Sequence, residues 1–226
     1  MASTEHDLRS TLMAGLKALQ LDLSEQQDDQ LLAYQAMIAK WTKVYNLTAV
    51  RDPAEMMTHH LLDSLAAIPA LQRHLDSAGL EQGSRLLDVG SGAGLPGVVI
   101  AICCPDIHVT CIDAVAKKMA FVQQVATELK LTNLSARHVR VETLSEPFDV
   151  ITSRAFATLT DFVEGSRRAL KPVTGIWMAM KAKDTAVERA ALAADIDVFH
   201  VGPLRVPGLD AERHLVWIRL KAATSH

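Results

Sequence analysis

The chain has 226 residues, of which 49% are hydrophobic and 22% charged, with 11 glycines and 8 prolines. These proportions are typical of a globular protein and exclude a disordered, collagenous or low-complexity chain. No apolar run reaches the roughly 18 residues that span a bilayer, and the acidic N-terminal segment does not resemble a signal peptide. We therefore expect a soluble cytoplasmic protein that has no membrane partner.

Charge is distributed unevenly along the chain. Residues 1–84 contain 6 basic and 11 acidic residues, whereas residues 85–226 contain 17 and 15, and the net charge is −3. A protein that coats nucleic acid non-specifically is strongly basic, so any contact with RNA must come from a local patch in the second part. The cysteines at 103, 104 and 111 lie in apolar or β-branched runs, which indicates buried thiols in a reducing compartment.

The first part of the chain is predicted to be helical. Ser24 and Gln27 match a capping box, which begins a helix. The apolar positions that follow recur every three or four residues, as on one face of a helix: Leu31, Tyr34, Ile38, Trp41 and Tyr45. Pro53 begins another helix, whose apolar positions continue to Ile68. We predict an N-terminal helical cap over residues 1–80.

From residue 85 onward, strands alternate with helices. The predicted strands cover residues 86–89, 109–112, the neighbourhood of Val139, 148–152, 176–180, 196–201 and 215–220. The predicted helices cover residues 95–103, 115–129, 159–170 and 184–194. This alternation predicts an α/β fold with a doubly wound, mainly parallel, seven-stranded Rossmann-like sheet over residues 81–226. No full helix separates the last two strands, which favours an antiparallel hairpin there.

A glycine-rich segment, Asp88-Val-Gly-Ser-Gly-Ala-Gly-Leu-Pro-Gly97, follows the first predicted strand. Glycines at alternate positions allow a sharp turn and let a ligand lie against bare backbone: Gly90, Gly92 and Gly94. Asp113 ends the next strand, where a carboxylate can accept hydrogen bonds from both ribose hydroxyls. The segment predicts a nucleoside cofactor site, with a structural turn and a helix N-cap as the alternative interpretations.

Two cofactors compete for this site. Gly92 to Gly97 matches G-x-G-x-x-G, so NAD is a rival. However, Asp88 stands where dinucleotide sites have an apolar residue, and Pro96 removes one amide from the helix N-terminus that would bind pyrophosphate. S-adenosylmethionine has no phosphate, and the Asp88 carboxylate would attract its ammonium and sulfonium groups. We therefore expect S-adenosylmethionine, and the segment resembles the first motif of seven-stranded methyltransferases that use it.

Six segments in order make the resemblance more specific: Tyr45-Asn-Leu-Thr48, His60-Leu-Leu-Asp-Ser64, Asp88 to Gly97, Arg140-Val-Glu142, Ser153-Arg-Ala-Phe156 and Glu212-Arg-His-Leu215. Together, over about residues 15–221, they resemble the bacterial 16S ribosomal RNA guanine-N7 methyltransferase family, also called glucose-inhibited division protein B. The resemblance implies methyl transfer to N7 of one guanine in 16S rRNA. The implied partner is the rRNA, the 30S subunit or an assembly intermediate, and we expect a monomer.

The resemblance also implies a set of cofactor contacts: Gly90, Leu95, Val141, Glu142 and Arg154. Independently of it, Arg154 follows a strand at the carboxyl edge of the sheet, where such folds bind ligands. Its guanidinium is suited to a cofactor carboxylate or an RNA phosphate. Lys181, at the end of the fifth strand, and Arg213 and His214, in the late hairpin, are suited to RNA phosphate contacts.

The chemistry of guanine N7 needs no general base, because this nitrogen has an in-plane lone pair and no proton. Positioning can then supply most of the rate effect, and we assign no catalytic side chain. His59, His60 and Asp63 are interpreted as a polar helix face rather than a metal site, which needs three or four ligands. Phe156 either packs in the core or stacks on the target base. An NAD-dependent oxidoreductase and a non-catalytic RNA-binding or assembly protein remain the alternative functions.

Overall fold

One seven-stranded sheet organises the computed structural model, which describes residues 2–156, 158–182 and 185–222. The strands are β1 (Arg85–Val89), β2 (His108–Asp113), β3 (Leu134–His138), β4 (Val150–Arg154), β5 (Ile176–Lys181), β6 (Ile196–Pro203) and β7 (His214–Leu220). Their order across the sheet is β3-β2-β1-β4-β5-β7-β6. The first five are parallel, and β7 pairs antiparallel with both β5 and β6. The predicted doubly wound sheet and its antiparallel hairpin are confirmed.

Nine α-helical segments accompany the sheet in the described ranges. They are α1 (Ala2–Leu19), α2 (Glu25–Tyr45), α3 (Pro53–Met56), α4 (Asp63–Leu65), α5 (Ile68–Ala78), α6 (Gly97–Cys103), α7 (Ala116–Glu128), α8 (Leu159–Ser166) and α9 (Ala186–Ala190). The capping box predicted at the start of α2 is present, with Ser24 and Gln27 satisfying each other's backbone amides. Asp52 caps α3 by accepting hydrogen bonds from the amides of residues 54 and 55.

Two hydrophobic cores lie on opposite faces of the sheet, because successive strand residues point in opposite directions. In β5, Ile176 and Met178 belong to the first core, and Trp177 and Ala179 to the second. The second core is completed mainly by α8. The first core also contains buried apolar residues of α1, α2, α5, α6 and α7. The N-terminal helices therefore bury their apolar faces against the same side of the sheet as α6 and α7.

Side chains of α2 also bond to backbone carbonyls on this side of the sheet. Gln27 Nε2 donates to the Ile102 carbonyl at 2.7 Å, and Gln30 Nε2 donates to the Leu129 carbonyl at 2.9 Å. Tyr34, completely buried, donates its hydroxyl to the Ala93 carbonyl in the glycine-rich loop at 2.7 Å. We propose that the division between the helical cap and the sheet falls between α5 and β1, close to residue 80.

Several predicted boundaries are wrong for identifiable reasons. The helix predicted from Pro53 to Ile68 is interrupted by a π-helical segment, Met57–Leu62, and by a turn before α5. The third strand ends at His138, because the next residue, Val139, bonds back to the Arg137 carbonyl.

Other elements begin or end a few residues from their predicted limits. The helix predicted from residue 95 begins at Gly97, because the glycine-rich loop continues through Pro96. α8 ends at residue 166 and gives way to a 3₁₀ turn, Arg167–Ala169. The helix predicted at 184–194 is reduced to α9, and its first residue lies outside the described part of the chain.

Replacing Tyr34 with phenylalanine tests the contact between α2 and the glycine-rich loop. The change keeps the buried ring but leaves the Ala93 carbonyl without its donor, so we expect the free energy of unfolding to fall by about 1–2 kcal/mol. Urea unfolding measures this change. Tyr45→Phe, which alters a half-exposed ring on the same helix, is the matched control and should stay within about 0.5 kcal/mol of the wild type. Equal losses in both variants would contradict the role of the buried hydroxyl.

Candidate functional site

The loop after β1 makes the tight turn that its sequence predicts. Gly90, Gly92 and Gly94 have φ values of +67°, +60° and +91°, a region that disfavours residues with a Cβ atom. At Gly94 the packing adds a second restriction, because a Cβ there would lie 2.4 Å from Cγ2 of Val98. At Gly92 a Cβ would meet nothing within 4 Å, so the backbone at this position faces open space. The turn therefore presents bare backbone on one side and packs tightly on the other.

Asp88 lies beneath this turn rather than facing a ligand. Its carboxylate is completely buried, and Oδ2 accepts a hydrogen bond from the Gly97 amide at 2.8 Å. Burial raises the pKa of Asp88 to about 7, against the lowering effects of the Gly97 amide and of the Arg154 charge. Asp88 therefore holds the turn through the amide at the start of α6, and its direct attraction of the cofactor's positive groups stays a prediction.

Asp113 is not the N-cap of α7, a position that Val115 holds, but its carboxylate bonds to two backbone amides. Its Oδ1 accepts from the Val115 amide at 2.9 Å, just before α7, and its Oδ2 accepts from the Gly92 amide at 3.1 Å. Lys118 Nζ lies 3.4 Å from the same Oδ2. The carboxylate thus connects the end of β2 to the glycine turn while it also lines the neighbouring cleft.

An open cleft lies at the carboxyl ends of β1, β2 and β3. Four residues from the predicted cofactor set line it: Gly90, Asp113, Val141 and Glu142. Its other lining residues were not among those predicted to contact the cofactor: Val89, Ile112, Ala114, Val139, Arg140 and Phe156. Most of them are next in sequence to a predicted residue, so extending each predicted position by one residue would have identified them. Apolar walls with a few polar groups are typical of sites for small ligands.

Phe156 reaches this cleft from the loop after β4. A Cβ at Gly90 would lie 3.5 Å from its ring, an ordinary van der Waals contact, so the ring of Phe156 packs next to the glycine turn. The ring is partly buried and lies 5.8 Å from that of Phe162 in α8. Phe156 therefore packs on the second core at one edge and lines the cleft at the other.

The remaining predicted cofactor residues lie elsewhere. Leu95 is only 4% exposed and packs in the first core, so its side chain does not reach the cleft. Arg154 points toward the N-terminal helices, where Nη1 donates to Asp63 Oδ2 and to the His59 carbonyl, both at 2.9 Å. Arg213 Nε donates to the other oxygen, Asp63 Oδ1, at 2.8 Å. Asp63, which the sequence analysis treated as part of a polar helix face, thus connects three distant segments.

The other residues predicted to contact RNA lie at the same edge of the sheet. Lys181 pairs in register with His214 across β5 and β7. Its ammonium lies 2.9 Å from Glu188 Oε2 and 3.4 Å from the Phe156 carbonyl, and the side chain is only 12% exposed. Lys181 is therefore held in an ion pair beside the cleft rather than presented on an open face. No group of three or more potential metal ligands occurs among the residues that the structure describes.

Comparison with known proteins agrees with this geometry. A family model described as rRNA small subunit methyltransferase G matches residues 27–216. A relative of that name from Polaromonas naphthalenivorans is 69% identical over 219 residues, covering 97% of this chain and 99% of the relative. Another, from Albidiferax ferrireducens, is 59% identical over 224 residues, covering 96% and 99%. The chain belongs to the rRNA small subunit methyltransferase G family.

The resemblance drawn from the six sequence segments is thereby confirmed. Solved structures give the same fold for this member of the methyltransferase G family. TrmN from Thermus thermophilus has a TM-score of 0.54 at 18% identity, covering 73% of this chain and 53% of that one. A protein of the NADB-Rossmann superfamily from Streptococcus agalactiae has a TM-score of 0.51 at 16% identity, covering 64% and 65%. At these identities the likeness extends to the Rossmann-like fold alone.

Like Asp63, His60 was predicted only as part of a polar helix face, and it lies in the π-helical segment that precedes α4. The side chain is buried, and its Nε2 lies 2.9 Å from Thr48 Oγ1. Burial, and then the positive charge of Arg154, lower the pKa of His60 from 6.5 to about 4. The imidazole of this methyltransferase G therefore stays neutral near the paired arginines at neutral pH.

This depressed pKa makes the stability of the methyltransferase pH-dependent. Between pH 6.5 and about 4, the unfolded chain binds a proton at residue 60 that the folded chain does not. The contribution of His60 to the free energy of unfolding therefore falls as the pH falls through this window. Between pH 6.5 and about 4, we expect the free energy of unfolding of wild type to fall by up to about 3 kcal/mol relative to that of His60→Gln. Each unit of pKa difference corresponds to about 1.4 kcal/mol.

Urea unfolding of both proteins at pH 7, 5.5 and 4 measures the difference. Asp88, whose pKa is raised to about 7, shifts stability in the opposite direction as the pH falls. Because Asp88 is present in both proteins, its effect cancels in the comparison. A difference that does not vary with pH would show that His60 titrates normally in the folded state.

Proposed function

We propose that this chain transfers a methyl group from S-adenosylmethionine to N7 of a guanine in 16S ribosomal RNA. The observation that carries the proposal is the cleft between the glycine turn and Asp113, at the carboxyl edge of the sheet. The chain that holds this cleft matches the rRNA small subunit methyltransferase G family over residues 27–216. Ligands of open α/β sheets bind at this edge, outside the carboxyl ends of the strands.

The residues of the cleft are compatible with S-adenosylmethionine. Gly90 offers backbone without a side chain. Asp113 Oδ1 retains acceptor capacity for a ribose hydroxyl after its bond to Val115, whereas Oδ2 already accepts from Gly92 and Lys118. Val141 and Ile112 supply apolar wall for a flat heterocycle, and Glu142 supplies a carboxylate at the rim. These residues would hold the nucleoside, while Gly92 and Gly94 shape the turn beside it.

The same geometry disfavours NAD. A dinucleotide places its pyrophosphate on free amides at a helix N-terminus. At the start of α6, Pro96 has no amide hydrogen, and the Gly97 amide already donates to Asp88 at 2.8 Å. The amides of Leu95 and Val98 donate to the carbonyls of Ser91 and Gly94. The amides at this turn are thus engaged within the protein, which supports a cofactor without a phosphate.

The chemistry requires orientation more than proton transfer. When bound, S-adenosylmethionine supplies a methyl group on a positively charged sulfur. The chain then has to hold guanine N7 in line with that group and exclude water, and effects of orientation alone can be large. Because N7 carries no proton, we assign no general base. The methylated ring is cationic, so excess positive charge beside the base would be unfavourable.

A non-catalytic RNA-binding or assembly role is the weaker alternative. A chain that had lost turnover would have no need to keep left-handed glycines, two buried carboxylates and an apolar cleft in one place. The acceptor is ribosomal RNA, free or within the 30S subunit. We further propose that the enzyme acts as a monomer in the cytoplasm. Within the described part of the chain, no helix is both long and apolar enough to cross a membrane.

Gly92→Arg tests the position of the cofactor site. At both Gly92 and Gly79 the φ angle is near +60°, and a Cβ would meet nothing within 4 Å. Each arginine substitution should therefore cost a similar backbone strain of about 1–2 kcal/mol. Only Gly92→Arg should abolish binding of S-adenosylmethionine in a calorimetric titration, because the Gly92 amide bonds to Asp113, which lines the cleft, whereas Gly79 follows α5. Retained affinity in Gly92→Arg would remove the site assignment, and tighter binding of NAD than of S-adenosylmethionine by wild type would favour the oxidoreductase.

Mapping of 16S rRNA by mass spectrometry tests the substrate. RNA from a strain lacking this gene should lack one N7-methylguanosine that the parent strain contains. The wild-type gene should restore the modification, and a gene encoding Gly92→Arg should not, whereas Gly79→Arg should restore it. If every N7-methylguanosine persists in the deletion strain, the proposed substrate is wrong.

A further inference from the structure

Asp63 lies between two arginines that come from distant parts of the chain. Its Oδ2 accepts from Arg154 Nη1 at the end of β4, and its Oδ1 accepts from Arg213 Nε just before β7. The carboxylate is only 4% exposed, and each arginine side chain is 19% exposed. The cluster formed by Asp63, Arg154 and Arg213 is thus mostly withdrawn from water, where ion pairs are shielded less by solvent and salt.

The charges within this cluster do not balance. Two guanidinium groups and one carboxylate leave a net charge of +1 in a mostly buried position. The neighbouring ion pair of Lys181 and Glu188 is neutral in itself, and His60 is uncharged at neutral pH. Buried Asp88, whose pKa is about 7, offsets the charge of Arg154 only in part at neutral pH. A buried charge without a counter-charge is costly. The cluster is therefore suited to receive one further negative group.

The arginines also retain unused hydrogen-bond donors. Arg154 uses Nη1 for both of its bonds, to Asp63 and to the His59 carbonyl. Arg213 uses Nε for Asp63 and Nη1 for the Glu212 carbonyl. In the described part of the chain, Nη2 of each arginine takes part in no hydrogen bond. A planar guanidinium with free N–H groups is the side chain best suited to bind an oxyanion in two-point contact.

The cluster lies next to the proposed cofactor cleft. Arg154 is two residues before Phe156, which lines that cleft, and Ala155 between them has a φ of +58°. The charge of Arg154 also acts on buried Asp88 beneath the glycine turn. An oxyanion held by the arginines would therefore be close to the bound methyl donor.

We propose that Asp63 is a positioning residue, whose carboxylate holds Arg154 and Arg213 together as a receptor for one oxyanion beside the cleft. Without Asp63 the two guanidiniums would repel each other, and neither would keep the orientation that its single bond to the carboxylate provides. The oxyanion is either the carboxylate of S-adenosylmethionine or a phosphate of the RNA. This inference rests on the proposed function and adds Asp63 as the residue that orients the two arginines.

Asp63→Asn tests the proposal, because it removes the charge and replaces one acceptor oxygen with a donor while keeping the shape. Two dissociation constants are measured on folded protein: for S-adenosylhomocysteine by calorimetry, and for 16S rRNA by filter binding over a salt series. We expect one of them to rise by about tenfold or more, as is common when a buried charge pair loses one partner. The KM of the corresponding cosubstrate should rise with it, with a smaller change in kcat.

Asp197→Asn is the matched control. Asp197 Oδ2 accepts from Arg219 Nε at 2.8 Å, the same pairing as that of Asp63 with Arg213, but this pair is more exposed and lies between β6 and β7 away from the cleft. We expect both dissociation constants to stay within about twofold of wild type, because exposed pairs contribute little. If Asp63→Asn does not fold, Arg213→Gln tests the receptor directly, since it removes one arm of the cluster and leaves the Arg154 pair in place.

The outcomes separate the two sources of the oxyanion. Weaker S-adenosylhomocysteine binding alone assigns the receptor to the cofactor carboxylate. Weaker RNA binding with a reduced salt slope assigns it to a phosphate. The proposal would be overturned if Asp63→Asn or Arg213→Gln bound both S-adenosylhomocysteine and 16S rRNA as tightly as wild type or more tightly, and lost only stability. Failure of wild type itself to bind S-adenosylhomocysteine would instead reject the proposed function.

Discussion

The glycine turn after β1 is the constraint on which the site depends, and two buried carboxylates hold it. Asp88 accepts from the Gly97 amide at one end of the turn, and Asp113 accepts from the Gly92 amide nearer its middle. Left-handed glycines alone would leave the backbone free to adopt other conformations. The two hydrogen bonds select one of them, in which bare backbone faces the cleft and the opposite side packs against Val98.

The N-terminal helices complete the site rather than simply covering the sheet. Tyr34 bonds to the glycine turn from α2, and Asp63 in α4 bonds to the ends of β4 and β7 through Arg154 and Arg213. The apolar residues of these helices share one core with the sheet. As a consequence, the cluster of Asp63, Arg154 and Arg213 forms only where the N-terminal helices meet the strand ends. Neither part of the chain would form it alone.

Much of the fold was predictable because it follows from local rules. Strand and helix order, the capping box at Ser24 and the turn at residues 90–94 each depend on neighbouring residues and were confirmed. One of the wrong predictions concerns a segment that is buried in the core. It is the helix after Pro53, which a π-helical segment interrupts where Met57 and Leu61 are buried in the first core.

The sequence by itself determined the fold class, the family and the position of the glycine turn, since spacing along the chain encodes all three. Only the tertiary structure decided the direction in which each charged side chain points. Asp88 turned beneath the loop toward an amide nine residues away, and Arg154 turned toward Asp63, 91 residues away. Buried charges take the partner that folding brings closest, and no local pattern specifies that partner.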